Sequence, residues 1–260
     1  MKKQQKKTKT LSPFKEKEEL ENEITNFMNG HKAIVSNQAK RISDFFEMSC
    51  FNYIVKFYKQ TGFKIIIKNL IDNKYRYKCS SSGLQENFSY FLVQKNIDKI
   101  IYEFEIHHNL TAQSSHDNNI FTTPDISVVN KKSIKNKLGY YYTKRKVSYI
   151  ENKNLISFYE VKHFNPFPEL LFNFIGTLNE LKKNLMFNNG TAKKQEPLHI
   201  SPSLMISGKP NKQTQRIKES LENRYNINIF YDLFILGERI MSKKRIKKFN
   251  LIGTCKISKN

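Results

Sequence analysis

Pro124-Asp125-Ile126-Ser127-Val128-Val129 and Ile156-Ser157-Phe158-Tyr159-Glu160-Val161-Lys162-His163-Phe164 are the two stretches on which the fold turns. Both are short, apolar and rich in β-branched and aromatic residues, as strands are. Side chains alternate along a strand, so Glu160 and Lys162 project from one face and Val161 from the other. Asp125 opens its strand directly after a proline, a position where ladder pairing begins or frays. If the two strands are neighbours, two carboxylates and one ammonium converge. Two carboxylates in a polar cleft suit a hard, oxygen-seeking cation such as Mg²⁺. A lysine beside them can hold an anionic oxygen or act on an attacking water. Together these are the minimum equipment for metal-assisted hydrolysis of a phosphodiester.

The elements around these strands place them inside an α/β chain. Upstream, Ser12-Pro13 opens a helix with Leu20, Ile24, Phe27 and Met28 on one stripe. A longer helix runs to about Gln60 with Ile42, Phe45, Phe46, Tyr53 and Phe57 on its apolar face, and Gly62 follows as a cap. Two strands, Phe63–Leu70 and Tyr75–Cys79, read as a hairpin turning at Asp72-Asn73. A helix is expected from Gly83 to Asn96, with Glu86 on its core-facing stripe. The stretch Ile100–His107 alternates cleanly: one face is apolar, and the other carries Glu103, Glu105 and His107 and reads as a solvated or DNA-distal face, with Glu103 or Glu105 lining a cleft as the alternative. Downstream of Lys162, Asn165-Pro166-Phe167-Pro168 breaks the strand. A helix to about Met186 follows, then a strand near Leu204–Gly208, a basic helix Lys212–Tyr225 and a last strand Ile227–Leu236.

Charge narrows the class of partner. The 260 residues carry a net charge of +22, far more than solubility needs, and this calls for a polyanion. Nucleic acid is the first candidate and an anionic membrane surface the second. The membrane is disfavoured because the lysines are spread along the chain and no apolar run is long enough to span a bilayer. Residues 130–154, inserted between the two key strands, interleave Lys131, Lys132, Lys135, Lys137, Lys144, Arg145, Lys146 and Lys153 with Tyr140, Tyr141, Tyr142 and Tyr149. Basic side chains hold phosphates and aromatic rings stack on bases. Lys144, Arg145, Lys146 and Tyr142 are the candidate DNA contacts, on a ribbon that also has the look of a lysine-guarded sheet edge. The three cysteines match no metal-ligand spacing, which fits a reducing, cytoplasmic setting. His107, His108, His116 and Asp117 lie close in sequence, but their spacing matches no metal motif either, and they read as loop residues or substrate contacts.

As written, Pro124-Asp125 … Glu160-Val161-Lys162 resembles the motif of the PD-(D/E)xK nuclease superfamily. From Gly83 the order helix, strand, strand, strand, helix, strand is similar to the restriction-endonuclease-like αβββαβ core, a mixed central sheet flanked by helices. The organisation expected is a basic arm (1–11), an N-terminal helical and hairpin extension (12–79), a nuclease-like core (80–241) and a basic tail (242–260). The resemblance implies that Asp125 and Glu160 ligate Mg²⁺, with Mn²⁺ able to substitute and the Val161 carbonyl as a further ligand. It implies that Lys162 positions or deprotonates the attacking water. Glu86 is the candidate for the glutamate that the family's first core helix often directs at the metal. The activity implied is a Mg²⁺-dependent DNA endonuclease, of restriction type and able to dimerise to cut both strands. The alternatives are a structure-specific junction or repair nuclease and a non-catalytic nucleic-acid-binding protein on the same fold.

Overall fold

A computed structural model describes residues 17–36, 39, 41–138, 146–186 and 195–254. The basic arm, the helix opening at Ser12-Pro13, and Tyr142, Lys144 and Arg145 lie outside the described residues. In chain order, α1 (Lys17–Asn29), β1 (Ile34–Ser36) and α2 (Ile42–Gln60) precede β2 (Lys64–Lys68), β3 (Lys74–Arg76), β4 (Tyr90–Ile97) and β5 (Ile100–His108). Short strands β6 (Thr111–Gln113) and β7 (Phe121–Thr122) lead to β8 (Ile126–Asn130), β9 (Lys135–Leu138), β10 (Lys146–Ile150) and β11 (Leu155–Lys162). Then come α3 (Pro168–Lys182), β12 (Leu198–Ile200), β13 (Ser203–Ile206), α4 (Lys212–Arg224), β14 (Asn228–Phe230), α5 (Leu233–Leu236), α6 (Lys243–Ile246) and β15 (Leu251–Gly253).

The central sheet has seven strands in the order β14-β13-β11-β8-β5-β4-β2. It is mixed: β11, β13 and β14 run parallel, and β11, β8, β5, β4 and β2 form antiparallel neighbours. β11 is therefore an interior strand, as its nearly unbroken apolar run requires. The sheet is covered on both faces. α1 and α2 pack on Phe91, Phe104, Ile126, Val128, Tyr159 and Val161. On the other face, α3 and α4 pack on Val129, Phe158, Leu204, Ile206 and Ile229. Thirteen of the 19 residues of α2 are buried, so this helix is core on almost every side. Full burial of one phenylalanine is worth about 1.5–3 kcal/mol, and α2 buries Phe45, Phe46, Phe51 and Phe57.

Five expectations are corrected. Residues 83–96 do not form a helix: Gln85–Asn87 make one 3₁₀ turn and β4 follows. Pairing of Phe91, Leu92 and Val93 between β2 and β5 wins over the helical spacing of Glu86, Tyr90, Val93 and Ile97. The segment after α2 turns at Asp72-Asn73, both with positive φ, but it is not a hairpin. β2 joins the central sheet while β3 pairs in parallel with β1. The polar face of β5 is not solvated: Glu105 and His107 are buried. Glu105 accepts from the Lys132 N–H at 3.1 Å and meets His107 Nε2 at 3.0 Å, while Lys78 Nζ donates to Gln85 Oε1 at 3.1 Å. Buried polar groups persist when satisfied in this way. Finally, the stretch from 242 to 254 is folded rather than a loose basic tail. β15 pairs with β12, and Ile246 and Ile252 are buried. The last strand likewise ends at Phe230, and Leu233–Leu236 turn helically.

Candidate active site

β8 and β11 are antiparallel neighbours whose ladder ends at Tyr159↔Ile126. Asp125 lies one residue before that last pair, so its side chain meets the C-terminal end of β11. Its carboxylate Oδ2 accepts the Val161 N–H at 2.6 Å and the Lys162 ammonium at 3.2 Å. Its backbone carbonyl accepts the Asn109 N–H at 2.8 Å, which ties it to the end of β5. Lys162 Nζ also donates to Glu160 Oε2 at 2.8 Å. The three groups expected to converge do converge, each partly open to solvent: 15 % for Asp125, 16 % for Glu160 and 31 % for Lys162. Val161 turns the other way, into the layer beneath α2. Continued by two residues, the ladder sets Val161 opposite Pro124, which has no N–H to offer the Val161 carbonyl.

A fourth charge enters from α2. The helix is anchored at its start by Asp44, which accepts from the Arg41 N–H at 3.1 Å and from the Arg41 guanidinium at 3.0 Å. One turn on, Glu47 lines a cleft of about 220 Å³ together with Ser43, Phe46, Val161, Lys162, His163 and Phe164. Its Oε2 lies 3.7 Å from Nε2 of His108, a buried residue at the end of β5. Glu47 acts on both motif carboxylates by like-charge repulsion. The sequence carried part of the signal for Glu47, an acid flanked by Phe45, Phe46, Met48 and Cys50 in a mostly buried helix, but not which strand ends the helix overlies.

The electrostatics follow from three carboxylates against one ammonium. Burial, then the neighbouring Asp125, pushes Glu160 up to about 7, against the pull of Lys162. Burial also raises Asp125, and here it outweighs the Lys162 charge. For Lys162, burial works downward, but Asp125 and Glu160 outweigh it and hold the ammonium above its ordinary value. The site is thus short of positive charge, and Lys162 stays protonated at neutral pH.

Glu86 does not join this group. It is exposed on the 3₁₀ turn before β4, where its backbone carbonyl accepts from Asn69 Nδ2. The basic insertion does contain a ribbon, β9 paired antiparallel with β10. Several of its cations are engaged within the protein. Lys135 and Lys153 pair with Glu151, Lys131 pairs with Glu103 at 2.6 Å, and Lys137 Nζ sits 3.5 Å from the centroid of Phe121. Lys132 and Lys146 are exposed. The histidines at the end of β5 and in the loop beyond it disperse: His107 enters the Glu105 network, His108 faces Glu47, and His116 contacts the Asn179 carbonyl. Among the described residues no group of three or more His, Cys, Asp or Glu side chains forms a metal cluster, and no helix is long and apolar enough to cross a membrane.

Against known proteins, the chain matches no family model, no curated sequence and no solved structure.

Proposed function

We propose that this chain is a metal-dependent DNA endonuclease built on a restriction-endonuclease-like core. The observation that carries the reading is the meeting of Asp125, Glu160 and Lys162 at the adjoining ends of two neighbouring strands in one hydrogen-bonded group. The arrangement of the central sheet supports it. In chain order, with β2, β3 and β4 intervening after α2 and the short strands β6, β7, β9, β10 and β12 intervening later, α2, β5, β8, β11, α3 and β13 give the order αβββαβ, with β5, β8 and β11 antiparallel, β13 parallel to β11, and α2 in the place of the helix expected at 83–96. The net charge of +22 supports a polyanionic substrate.

The donor set fits a hard divalent cation: two carboxylates raised in pKa by burial and crowding, with a carbonyl opposite a proline. Asp125, Glu160 and the Val161 carbonyl would hold Mg²⁺, with Mn²⁺ as a substitute, and Glu47 would add negative charge from α2. Bound there, the ion would act as a Lewis acid on the phosphate and lower the pKa of a water. Lys162, kept protonated by its two carboxylates, is suited to orienting the water and offsetting charge on the phosphate oxygens, not to removing a proton. The Val161 N–H holds Asp125 Oδ2 in place and leaves Oδ1 for the cation.

The test is cleavage of labelled duplex, branched and single-stranded DNA in Mg²⁺, Mn²⁺ and EDTA by the wild type, Asp125→Ala and Lys162→Ala. Metal-dependent cutting abolished in both variants, with binding retained, is the expected result. Tight, salt-sensitive binding by the wild type without cutting in either metal would favour a binding protein on this fold.

A further inference from the structure

Among the described residues, the phenylalanines more than about a third exposed are Phe164, Phe167 and Phe172, all within ten positions after the Glu160-Val161-Lys162 strand. Phe164 is 39 % and Phe167 44 % exposed. Their ring centroids lie 5.8 Å apart with 33° between the planes. Phe164 lines the same cleft as Glu47 and Lys162 and follows Lys162 by two residues, about 7 Å of extended chain. The segment bearing the rings is stiff. Pro166 is buried, Pro168 opens α3, and Phe167 takes the N-cap position of that helix with an extended backbone. The Phe164 carbonyl accepts the Gly208 N–H at 3.2 Å. A side chain at position 208 would come within 2.7 Å of the Asn165 Cα, so glycine permits this close approach.

We propose that Phe164 and Phe167 form a stacking platform for an unpaired nucleobase of a DNA strand held in the cleft. The inference rests on the nuclease reading and names its substrate class: DNA with single-stranded character at the cut. In a continuous duplex the base faces are covered by their neighbours, so exposed rings stack on a base that is unpaired or turned out. The platform's apolar faces take the base, and the strongly basic chain takes the phosphates. Held by two prolines and the Gly208 contact, the rings lose little conformational freedom on binding.

The experiment titrates the full chain, in EDTA, into 2-aminopurine-labelled oligonucleotides that are single-stranded, gapped or fully paired. Wild type, Phe164→Ala, Phe167→Ala, the double variant and Phe164→Trp are compared, with thermal denaturation checking that each is folded. The wild type is expected to quench the probe in the single-stranded and gapped forms. Each alanine is expected to weaken single-strand binding about five- to 150-fold while duplex binding changes less than about two-fold, and Phe164→Trp retains binding. Equal binding of all forms by wild type and alanine variants overturns the platform. So does an unchanged single-strand affinity when sedimentation shows the alanine variants breaking a wild-type dimer. If the wild type cuts in Mg²⁺ and the alanine variants keep its single-strand preference, the platform fails and the nuclease reading stands. If ring-dependent quenching occurs without cutting in Mg²⁺ or Mn²⁺, the platform stands and the nuclease reading fails.

Discussion

Glu160 sits in folded surroundings that favour its neutral form, with its pKa carried from the ordinary 4.5 up to about 7. The sign of the consequence is fixed. Between those two values the folded chain binds more protons at this group than the unfolded chain does, so its contribution to stability is lost as pH rises from about 4.5 to about 7. Without divalent ions, thermal unfolding should show the wild type losing stability relative to Glu160→Gln over this window. Mg²⁺ added at pH 8 should raise the wild-type midpoint and leave that of Glu160→Gln unmoved. A difference between the two proteins that stays flat with pH would contradict the assigned environment. Glu47 gives a second residue-level prediction. Glu47→Gln keeps the shape of the side chain but removes a charge that both motif carboxylates sense, so cleavage should fall about 10- to 100-fold with the melting midpoint retained. Wild-type rates in Glu47→Gln would take α2 out of the site. Asp125, Glu160 and Lys162 were legible in the sequence because period-two alternation and a proline mark them. Glu47 was not singled out, because its place depends on α2 lying over the ends of β5 and β8, a contact between distant parts of the chain.

At the scale of elements, the long apolar segments were readable and the polar-faced ones were not. α2, β5, β8, β11, α3 and α4 follow from strong 3.6- or 2-residue periodicity. β4 was misread as a helix because its apolar residues fit both periods, and only pairing with β2 and β5 decides between them. The face of β5 bearing Glu105 and His107 looked solvated. It is covered by Gln85, Lys78 and the Lys132 backbone, all partners remote in sequence. The junction after β11 shows how an element is held to the site. Gly208 N–H and carbonyl bridge Phe164 and Asp232, and an added Cβ would collide with Asn165. Gly208→Ala should therefore destabilise the fold by about 1–3 kcal/mol, read from urea denaturation, and should disturb the segment Phe164–Pro168. An unchanged denaturation midpoint would mean that this contact yields freely.

Across the whole molecule, one buried histidine ties the α2 side of the sheet to the C-terminal strand. His199 on β12 meets the Tyr58 hydroxyl of α2 at 2.8 Å and the Thr254 hydroxyl at 3.0 Å, with Phe104 edge-on at 4.5 Å. Burial, then the charges of Lys182 and Lys95, lowers its pKa from 6.5 to about 3. The unfolded chain therefore takes up this proton first, and stability falls as pH drops from about 6.5 toward 3, by at most about 1.4 kcal/mol per pH unit from this group. His199→Gln should flatten the acid limb of the stability curve between those values, and an acid limb as steep as that of the wild type would contradict this. The same α2 that His199 helps to anchor carries Glu47 to the ends of β8 and β11, so the site depends on the whole α/β/α stack. At the centre of the proposed function, Asp125 and Glu160 hold a divalent cation there. The direct measurement is Mn²⁺ binding followed by electron paramagnetic resonance on the wild type, Asp125→Ala and Glu160→Gln. Mn²⁺ is expected to bind the wild type, to be displaced by excess Mg²⁺, and to bind both variants at least tenfold more weakly. Equal Mn²⁺ binding by all three proteins, or none by the wild type, would contradict this.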